Sequence, residues 1–429
     1  MTLREPRGGH GAARDDTDGH DPKPEDGGSR SVPGRNRSWQ GPILGLAMML
    51  VAFNLRPALS TVGPLLAHIR EATGLSTTAA AILTTLPVLC LGVACALASP
   101  LIRRLGPDRG VLAGMVLVAV GLATRGIETV PALFVGTAIA AFGIGFGNVL
   151  LPALVKRDFP ESGGVMTGLY TMTLCLGAAA GAGAAVPVEA AVGGWPGALA
   201  VWAIPACLAA VLWLPFAGRS GPGRPPEAGR LLRDPLAWQV TGFMGLQSSL
   251  AYILFGWLPL LLQGRGLDPF HAGLTASFVT LCQAPGALVT AMLAAKAKDQ
   301  RLWVVGVPAL AAASFLLLAF GPPVLQLPAS VGLGFAVGGC FGLALTLIVL
   351  RAADAASAAG LSAMAQGIGY AFAALGPLAF GLAHEATGGW GLAGALFTAI
   401  TVAATLFGLP AGRPRTVAAV GSGSGAQSR

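Results

Sequence analysis

Long apolar runs alternate with short polar connections along almost the whole chain. Twelve runs are long enough to cross a bilayer, at about residues 40 to 69, 77 to 101, 109 to 127, 130 to 155, 163 to 188, 195 to 216, 236 to 262, 271 to 295, 302 to 321, 327 to 350, 357 to 383 and 390 to 412. Each approaches or exceeds the roughly 20 residues that a helix needs to span the hydrocarbon core. The pattern predicts an all-α polytopic membrane protein with twelve transmembrane helices.

A single long polar connection, AGRSGPGRPPEAGRLLRDPL, separates the sixth run from the seventh. The two halves echo each other at an offset near 195 residues; Thr85-Leu86, for example, matches Thr280-Leu281. Parallel repeats of six spans are typical of two-lobed transporters, which place their site between the lobes. We therefore predict five parts, which are a disordered tail (1–38), a six-helix lobe (39–216), a cytoplasmic linker (217–235), a second six-helix lobe (236–412) and a cytoplasmic tail (413–429).

Composition excludes a soluble protein. Hydrophobic residues make up 54% of the chain, charged residues only 11%, and the mean hydropathy is +0.69, whereas about 25% of the residues of a soluble domain are charged. Residues 1–38 carry 14 of the 46 charges and no apolar core of a signal peptide. The six cysteines lie inside apolar runs without metal-ligand spacing, so we expect no metal and no cofactor.

The basic residues indicate the orientation. If both termini are cytoplasmic, 23 of the 27 lysines and arginines fall on the cytoplasmic side, as the positive-inside rule requires. The net charge of +8 is then a topology signal and does not indicate nucleic-acid binding. We predict a multi-pass protein of a bacterial-type cytoplasmic membrane, whose partners are a small-molecule solute and the lipid bilayer, and we expect a monomer.

Arg56 is the strongest candidate for a binding residue. It lies about seventeen residues into the first run, in FNLRPALSTVGPLL, near the bilayer midplane at roughly 1.5 Å per residue. A charge at that depth costs roughly 2.5 to 3.5 kcal/mol or more, so it should face a cavity or a partner. No acidic residue lies inside a span at matching depth. An anionic or strongly dipolar ligand is the favoured partner, and backbone carbonyls or an asparagine are the structural alternative.

Two other polar residues of the first half have open roles. Asn54 lies two positions before Arg56, about 200° around an ideal helix, so it is as consistent with a bond between helices as with a ligand contact. Arg125 lies near the outer end of the third run. There it could bind a ligand, extend to the membrane interface or pair with Glu128.

The polar residues of the second half are amides, hydroxyls and aromatic rings. Gln366 and Tyr370 lie four residues apart, which places them on one helix face. Gln247 and Tyr252 lie in the seventh run, in GLQSSLAYILFGWLP. A neutral hydrogen-bonding wall opposite an arginine would suit a small polar anion, whereas bonds between neighbouring helices are the alternative for Gln247 and Tyr252.

Motifs for other functions are absent. The chain contains neither GxxxxGK[ST], nor HExxH, nor GxSxG, so ATP hydrolysis, zinc proteolysis and nucleophile-elbow hydrolysis are disfavoured. A membrane-embedded enzyme therefore remains only a remote alternative. A solute receptor that does not transport is also remote, because the 38-residue polar tail is too short for a signalling domain.

Several segments together resemble the major facilitator superfamily, and in particular its cyanate-porter branch, which also includes a nitroimidazole exporter. These segments are NLRPALSTVGPLL, LTTLPVL, VGLATR, GNVLLPALVKRDFP, GLQSSLAYILFGWLP and LSAMAQGIGYAFAALGP. The resemblance covers about residues 40 to 412 and implies two six-helix lobes, alternating access and small polar or anionic solutes. It also supports substrate roles for Arg56, Arg125, Asn148 and Gln366, which lie in these segments.

The loop after the second span departs from the superfamily signature GxxxDRxGRR. It reads SPLIRRLGPDR, so Ser99 replaces the first glycine and Arg103 replaces the aspartate, while Arg104 and Gly106 remain. Either the acidic interaction of this loop is weakened, or Asp108 replaces the missing acid. We predict that Arg104, Gly106 and Asp108 form a gating loop, and that the protein is a secondary transporter of a cyanate-like anion. The alternative is efflux of a neutral nitroheterocyclic drug through contacts with Tyr252, Trp257 and Tyr370.

Overall fold

A computed structural model describes residues 37–221 and 228–417, and in these ranges the regular structure is helical. The helices are α1 Arg37–Asn54, α2 Pro57–Ser60, α3 Val62–Thr73, α4 Thr77–Leu105, α5 Pro107–Thr124, α6 Val130–Asp158, α7 Gly163–Val192, α8 Trp195–Ala200, α9 Ala203–Trp213, α10 Ala228–Leu231, α11 Pro235–Gly264, α12 Pro269–Lys296, α13 Arg301–Phe320, α14 Gln326–Arg351, α15 Ala355–Ala373, α16 Leu375–Thr387 and α17 Gly391–Ala411. Residues 1–36 of the predicted disordered tail lie outside the described residues.

The helices supply the twelve predicted spans. Within the described part of the chain, eleven helical segments are long and apolar enough to cross a membrane. The twelfth is α4, which has 29 residues and an apolar centre at Leu86–Cys95. The first span combines α1 to α3, the sixth combines α8 and α9, and the eleventh combines α15 and α16. The all-α, twelve-helix prediction is confirmed.

Aspartate–proline pairs start two helices of the second half. Asp234 accepts a hydrogen bond from the backbone N–H of Leu236, and Asp268 accepts from the N–H groups of Phe270 and His271. Proline follows each aspartate, where its fixed φ suits the first helical turn and its missing N–H costs nothing. The sequence thus fixes where both spans begin.

The two halves use the same internal packing. In the first half α6 packs on α4 and α5, and α5 packs on α9; in the second half α14 packs on α12 and α13, and α13 packs on α17. The described residues from position 42 onward form one compact unit. The repeat predicted from the sequence is therefore matched by an equivalent arrangement of helices.

The contacts between the halves follow the same symmetry. The fifth span, α7, packs on α12 and α14, and its counterpart α15 packs on α4 and α6. Glycines permit the close approach. A Cβ on Gly164 would collide with Ala295, and one on Gly168 would lie 2.9 Å from the Leu288 carbonyl. These contacts lie in the half of the helices that adjoins the basic connections.

An arginine ends the fourth span of each half and ties the helix ends together. Arg157 forms paired bonds of 2.7 and 2.8 Å with the buried Asp108 and also binds Asp158, which in turn binds Arg219 at 3.1 Å. Its counterpart Arg351 binds neutral groups instead.

The second cluster joins Arg351 to the end of the last span. The Arg351 Nε donates to the Ala411 carbonyl at 2.7 Å, and Nη2 donates to Gln300 and to the Gly412 carbonyl. The backbone N–H of Val417 donates to the Arg351 carbonyl, and Val417 is buried. One cluster is ionic and the other is built from an amide and carbonyls, although both hold equivalent helix ends.

Candidate functional site

Arg56 lies in a break of the first span. Helix α1 ends at Asn54 and α2 begins at Pro57, with Arg56 as its N-terminal flanking residue at φ −118° and ψ −34°. Proline cannot supply the N–H that would continue the helix ladder, which explains the interruption. The side chain is half-buried, and its guanidinium carbon lies 5.0 Å from the centre of the Phe341 ring. Arg56 thus reaches from the first half to α14 of the second.

Two of the three tyrosines of the chain lie beside Arg56. Tyr252 and Tyr370 both lie close enough to Arg56 to interact with its charge, and their rings meet edge to face at 6.4 Å. Tyr170 is within electrostatic range of Tyr370, is buried, and has no hydrogen-bond partner for its hydroxyl. The surroundings of Arg56 are therefore aromatic and rich in hydroxyls.

No carboxylate forms an ion pair with Arg56 among the described residues. The acidic groups that do form pairs lie at helix ends, as in the Asp108 cluster. A half-buried guanidinium inside a membrane keeps a strong preference for a negative or dipolar partner. The arrangement can bind a small anion by combining this charge with the hydroxyl donor of Tyr252.

A hydrogen-bonded chain adjoins the tyrosines. The Tyr370 hydroxyl donates to Gln366 Oε1 at 2.9 Å, and Gln366 Nε2 donates to the backbone carbonyl of Asn148 at 2.8 Å. Ser362 also donates to this carbonyl, at 3.2 Å. The residue four positions after Asn148 is Pro152, which has no N–H for it. Proline thus frees a carbonyl of α6, and α15 satisfies it across the two halves.

Gln247 lies in the same helix as Tyr252 but its amide is engaged locally. It is buried, and its Nε2 donates to the Met244 carbonyl at 3.1 Å and to Ser248 Oγ at 2.8 Å. Its Oε1 has no hydrogen-bond partner. The structure therefore leaves one acceptor of Gln247 open.

The structure places Asn54 away from Arg56. The amide is buried and donates to the Leu50 carbonyl at 2.8 Å and to the Pro205 carbonyl at 3.1 Å. Pro205 belongs to α9, so this bond joins the first and sixth spans. Of the two roles that the sequence left open, the observed contact is the one between helices.

Arg125 neither extends to the interface nor pairs with Glu128. The side chain is fully buried, and its Nη1 donates to the Ala58 carbonyl of α2 at 2.8 Å. Its Nε and Nη2 have no partner. Both structural alternatives from the sequence are therefore wrong. The helices pack so closely around Gly136 that a Cβ on this glycine would lie 2.8 Å from Arg125 Cγ, and this packing holds the arginine side chain inside the lobe.

The predicted gating loop docks on the start of the linker. Gly106 has φ +80°, and a Cβ there would collide with the Gly221 carbonyl. Glycine is therefore required both for the positive φ and for the close contact. Asp108 binds Ser220 as well as Arg157, and its carbonyl accepts from the Trp213 indole at 2.8 Å. Arg104 is exposed. Asp108 is thus the acid around which the loop, α6 and the linker meet.

Two exposed residues lie farther from the basic connections than Arg56 and Tyr252 do. Phe255, one turn beyond Tyr252 on the same face and in edge contact with it, is 47% exposed. Gly63 of α3 is also exposed and has open space around it. The close contacts of Gly164 and Gly168 lie at the end that adjoins the basic connections. The described residues therefore pack closely at that end and leave Phe255 and Gly63 exposed at the other.

Sequence reasoning missed several of these residues. Phe341 gave no signal, because its contact with Arg56 depends on packing between distant helices. The pairing of Asp108 with Arg157 had a weak signal, since both lie at span ends that were predicted on the same side. The hydrogen bond between Gln366 and the Asn148 carbonyl also had a weak sequence signal. Pro152 lies four residues after Asn148, so this carbonyl has no helical N–H donor.

A family comparison now decides the class. The model of the Major Facilitator Superfamily matches residues 46–374. The chain belongs to this superfamily. It is thus a transporter of the major facilitator type, a family that acts on small-molecule solutes in membranes and does not consist of enzymes.

Relatives within the superfamily carry two substrate names. The 2-nitroimidazole transporter of Escherichia coli is 37% identical over 395 residues, which cover 91% of this chain and 99% of the relative. The cyanate transport protein CynX of Escherichia coli is 30% identical over 349 residues, which cover 80% and 91%. The chain therefore matches both relatives over most of their length, as the sequence resemblance predicted.

A solved structure agrees on the fold. The E. coli fucose:proton symporter FucP superposes with a TM-score of 0.68 at 15% identity, covering 86% of this chain and 98% of the symporter. At this identity the match supports the architecture alone.

Proposed function

We propose that this major facilitator protein is a secondary active transporter of a small anionic or strongly polar solute, with cyanate-like anions as the favoured class. The observation that carries the proposal is Arg56, a half-buried cation in a broken span with no carboxylate partner among the described residues. An anion would supply the missing charge, and the hydroxyl of Tyr252 would donate a hydrogen bond.

The amide network supports a small ligand. Gln366 accepts the Tyr370 hydroxyl proton at 2.9 Å and is itself fixed to α6, so the Tyr370 ring is held in place before a ligand arrives. Side chains that are already fixed lose little conformational entropy on binding. This pre-organisation, together with the printed name of CynX, favours a compact anion. We assign Asn148 a backbone role in the same site, whereas the buried Gln247 is held by Met244 and Ser248.

A neutral nitroheterocycle is the second candidate. The Phe341 ring lies 5.0 Å from the guanidinium, and Tyr252 and Tyr370 add two more rings, so a planar ligand would find aromatic neighbours. The printed name of the 2-nitroimidazole transporter points the same way. Trp257, which the sequence suggested for this role, is instead bonded to the Pro377 carbonyl at 3.0 Å and packs on Phe380.

Transport would proceed by alternating access between two six-helix lobes, residues 39–216 and 236–412, joined by the linker at 217–235. With both termini in the cytoplasm of a bacterial-type inner membrane, the basic connections are internal. We propose that the surroundings of Arg56 are then open to the outside, and that the contacts of α7 and α15 form the closed inner gate. We propose that the transporter acts as a monomer.

The test uses purified full-length protein with sodium cyanate and 2-nitroimidazole as probes. Thermal unfolding is measured for the wild type, Arg56→Gln and the matched control Arg265→Gln, which removes an arginine that binds only backbone carbonyls at helix ends. A bound ligand stabilises the fold by about 2.7 kcal/mol at a hundredfold excess over Kd. Uptake into proteoliposomes is then measured for each ligand that binds.

We expect cyanate at one concentration to stabilise the wild type and Arg265→Gln strongly and Arg56→Gln only weakly, because the variant binds with a much higher Kd, with cyanate flux lost only in the Arg56 variant. If only 2-nitroimidazole stabilises the protein, and Arg56→Gln leaves this stabilisation unchanged, the heterocycle and not the anion is the substrate. Binding without flux would contradict transport and favour a receptor.

A further inference from the structure

Arg125 combines features that neither packing nor ligand contact explains. It is fully buried, carries a formal charge, and has one hydrogen bond, to the Ala58 carbonyl at 2.8 Å. Its Nε and Nη2 are without partners. A buried arginine with so little compensation is costly, and such a residue inside a membrane protein points to a functional role.

The acceptor of that bond lies beside Arg56. Helix α2 contains only Pro57–Ser60 and is separated from α3 by Thr61. Carbonyls of so short a segment lack the continuous ladder of a longer helix and depend on other donors. Ala58 is two residues after Arg56. The orientation of α2 therefore sets the direction of the Arg56 guanidinium.

The base of Arg125 is held rigidly. Gly121 and Gly136 bring α5 and α6 so close that a Cβ on Gly136 would lie 2.6 Å from the Gly121 carbonyl and 3.0 Å from the Arg125 backbone nitrogen. Arg125 itself follows the last residue of α5. The guanidinium is thus fixed on a tightly packed helix pair and reaches across to a broken one.

We propose that Arg125 is a positioning residue, which holds α2 through the Ala58 carbonyl and so aims Arg56 at the solute without contacting the solute itself. This inference rests on the proposed function for its ligand readout. It differs from the sequence expectation that Arg125 binds substrate, because the side chain is fully buried and donates to a backbone carbonyl.

The first measurement needs no ligand. Hydrogen–deuterium exchange is followed for peptides that cover residues 55–66 in the full-length protein, comparing the wild type with Arg125→Gln and with Arg265→Gln. The control loses guanidinium bonds to the Ala319 and Gly321 carbonyls, which lie in the other half. We expect faster exchange at 55–66 in Arg125→Gln only. Unchanged exchange there would overturn the positioning role, whatever the solute proves to be.

The second measurement is a double-mutant cycle on cyanate affinity. We expect Arg125→Gln to raise Kd at least tenfold in the wild type and to change it less than twofold in the Arg56→Gln background, since the effect passes through Arg56. Equal losses in both backgrounds would show a direct solute contact and refute the proposal. If Arg125→Gln does not fold, Arg125→Lys, which keeps the charge and one donor, replaces it in both measurements and should lie between the wild type and the glutamine variant.

If wild-type protein binds no cyanate, the proposed substrate fails, and the exchange result alone decides the role of Arg125. The two failures are therefore distinguishable.

Discussion

The carbonyl of Asn148 offers the sharpest test of the inner gate. Pro152 removes its helical donor, and Gln366 and Ser362 replace that donor from the other half at 2.8 and 3.2 Å. The double variant Gln366→Leu with Ser362→Ala removes both donors and keeps apolar groups in their place. The carbonyl is then buried without a partner whenever the gate is closed.

The magnitude follows from the cost of a buried polar group without a hydrogen bond, about 1 to 3 kcal/mol. Opening the gate exposes the carbonyl to water and removes this cost, so the penalty falls on the closed state alone. Since about 1.4 kcal/mol corresponds to a factor of ten, the ratio of open to closed inner gate should rise by roughly 5- to 150-fold. The Tyr370 hydroxyl also loses its acceptor, although that bond lies within α15 and contributes less to the difference between states.

The assay is a distance measurement across the gate. Spin labels are attached to cysteines introduced at Glu161 and Lys298, which are exposed at the ends of the first-half and second-half helices, in a background whose native cysteines have been replaced. Double electron–electron resonance is then recorded in lipid nanodiscs. We expect a long-distance population to grow in the double variant.

The matched control is Ser249→Ala. Ser249 donates to the Ala373 carbonyl of α15 at 3.3 Å, but both residues belong to the second half. Its removal should leave the Glu161–Lys298 distances unchanged. A double variant that folds and keeps the wild-type distance distribution would refute the reasoning. It would mean that the hydrogen bonds to the Asn148 carbonyl do not contribute to closure of the gate.

Three further outcomes are expected. Asp108→Ala breaks the buried ion pair at the end of α6 and should lower the unfolding free energy by about 3 kcal/mol, seen as a reduced Tm in detergent. Gln300→Ala removes an acceptor from the buried Arg351 and should cost about 2 kcal/mol in the same assay; an unchanged Tm would contradict the cluster. A cysteine at Arg415 should react with an impermeant maleimide only in permeabilised cells and one at Glu71 in intact cells, whereas the reverse pattern would refute cytoplasmic termini.

The residue pattern along the chain was sufficient for the architecture, because the bilayer restricts the choice. Backbone groups in hydrocarbon must bond within the segment, so each long apolar run can only be a helix. The resemblance of particular segments then identified the superfamily. Prolines and aspartates also set local features, as Asp234-Pro235 begins α11 and Pro57 breaks the first span beside Arg56.

Tertiary structure decided which groups meet. The sequence shows that Pro152 frees the Asn148 carbonyl, but only the packing of α15 on α6 supplies Gln366 as the donor. It likewise marks Arg125 as a charge near a span end, whereas the close approach of α5 and α6 buries that charge and directs it to Ala58. The physical reason is common to both. A backbone segment records its own missing hydrogen bonds, while the partner that satisfies them comes from a helix far away in sequence, brought near by the packing of the whole bundle.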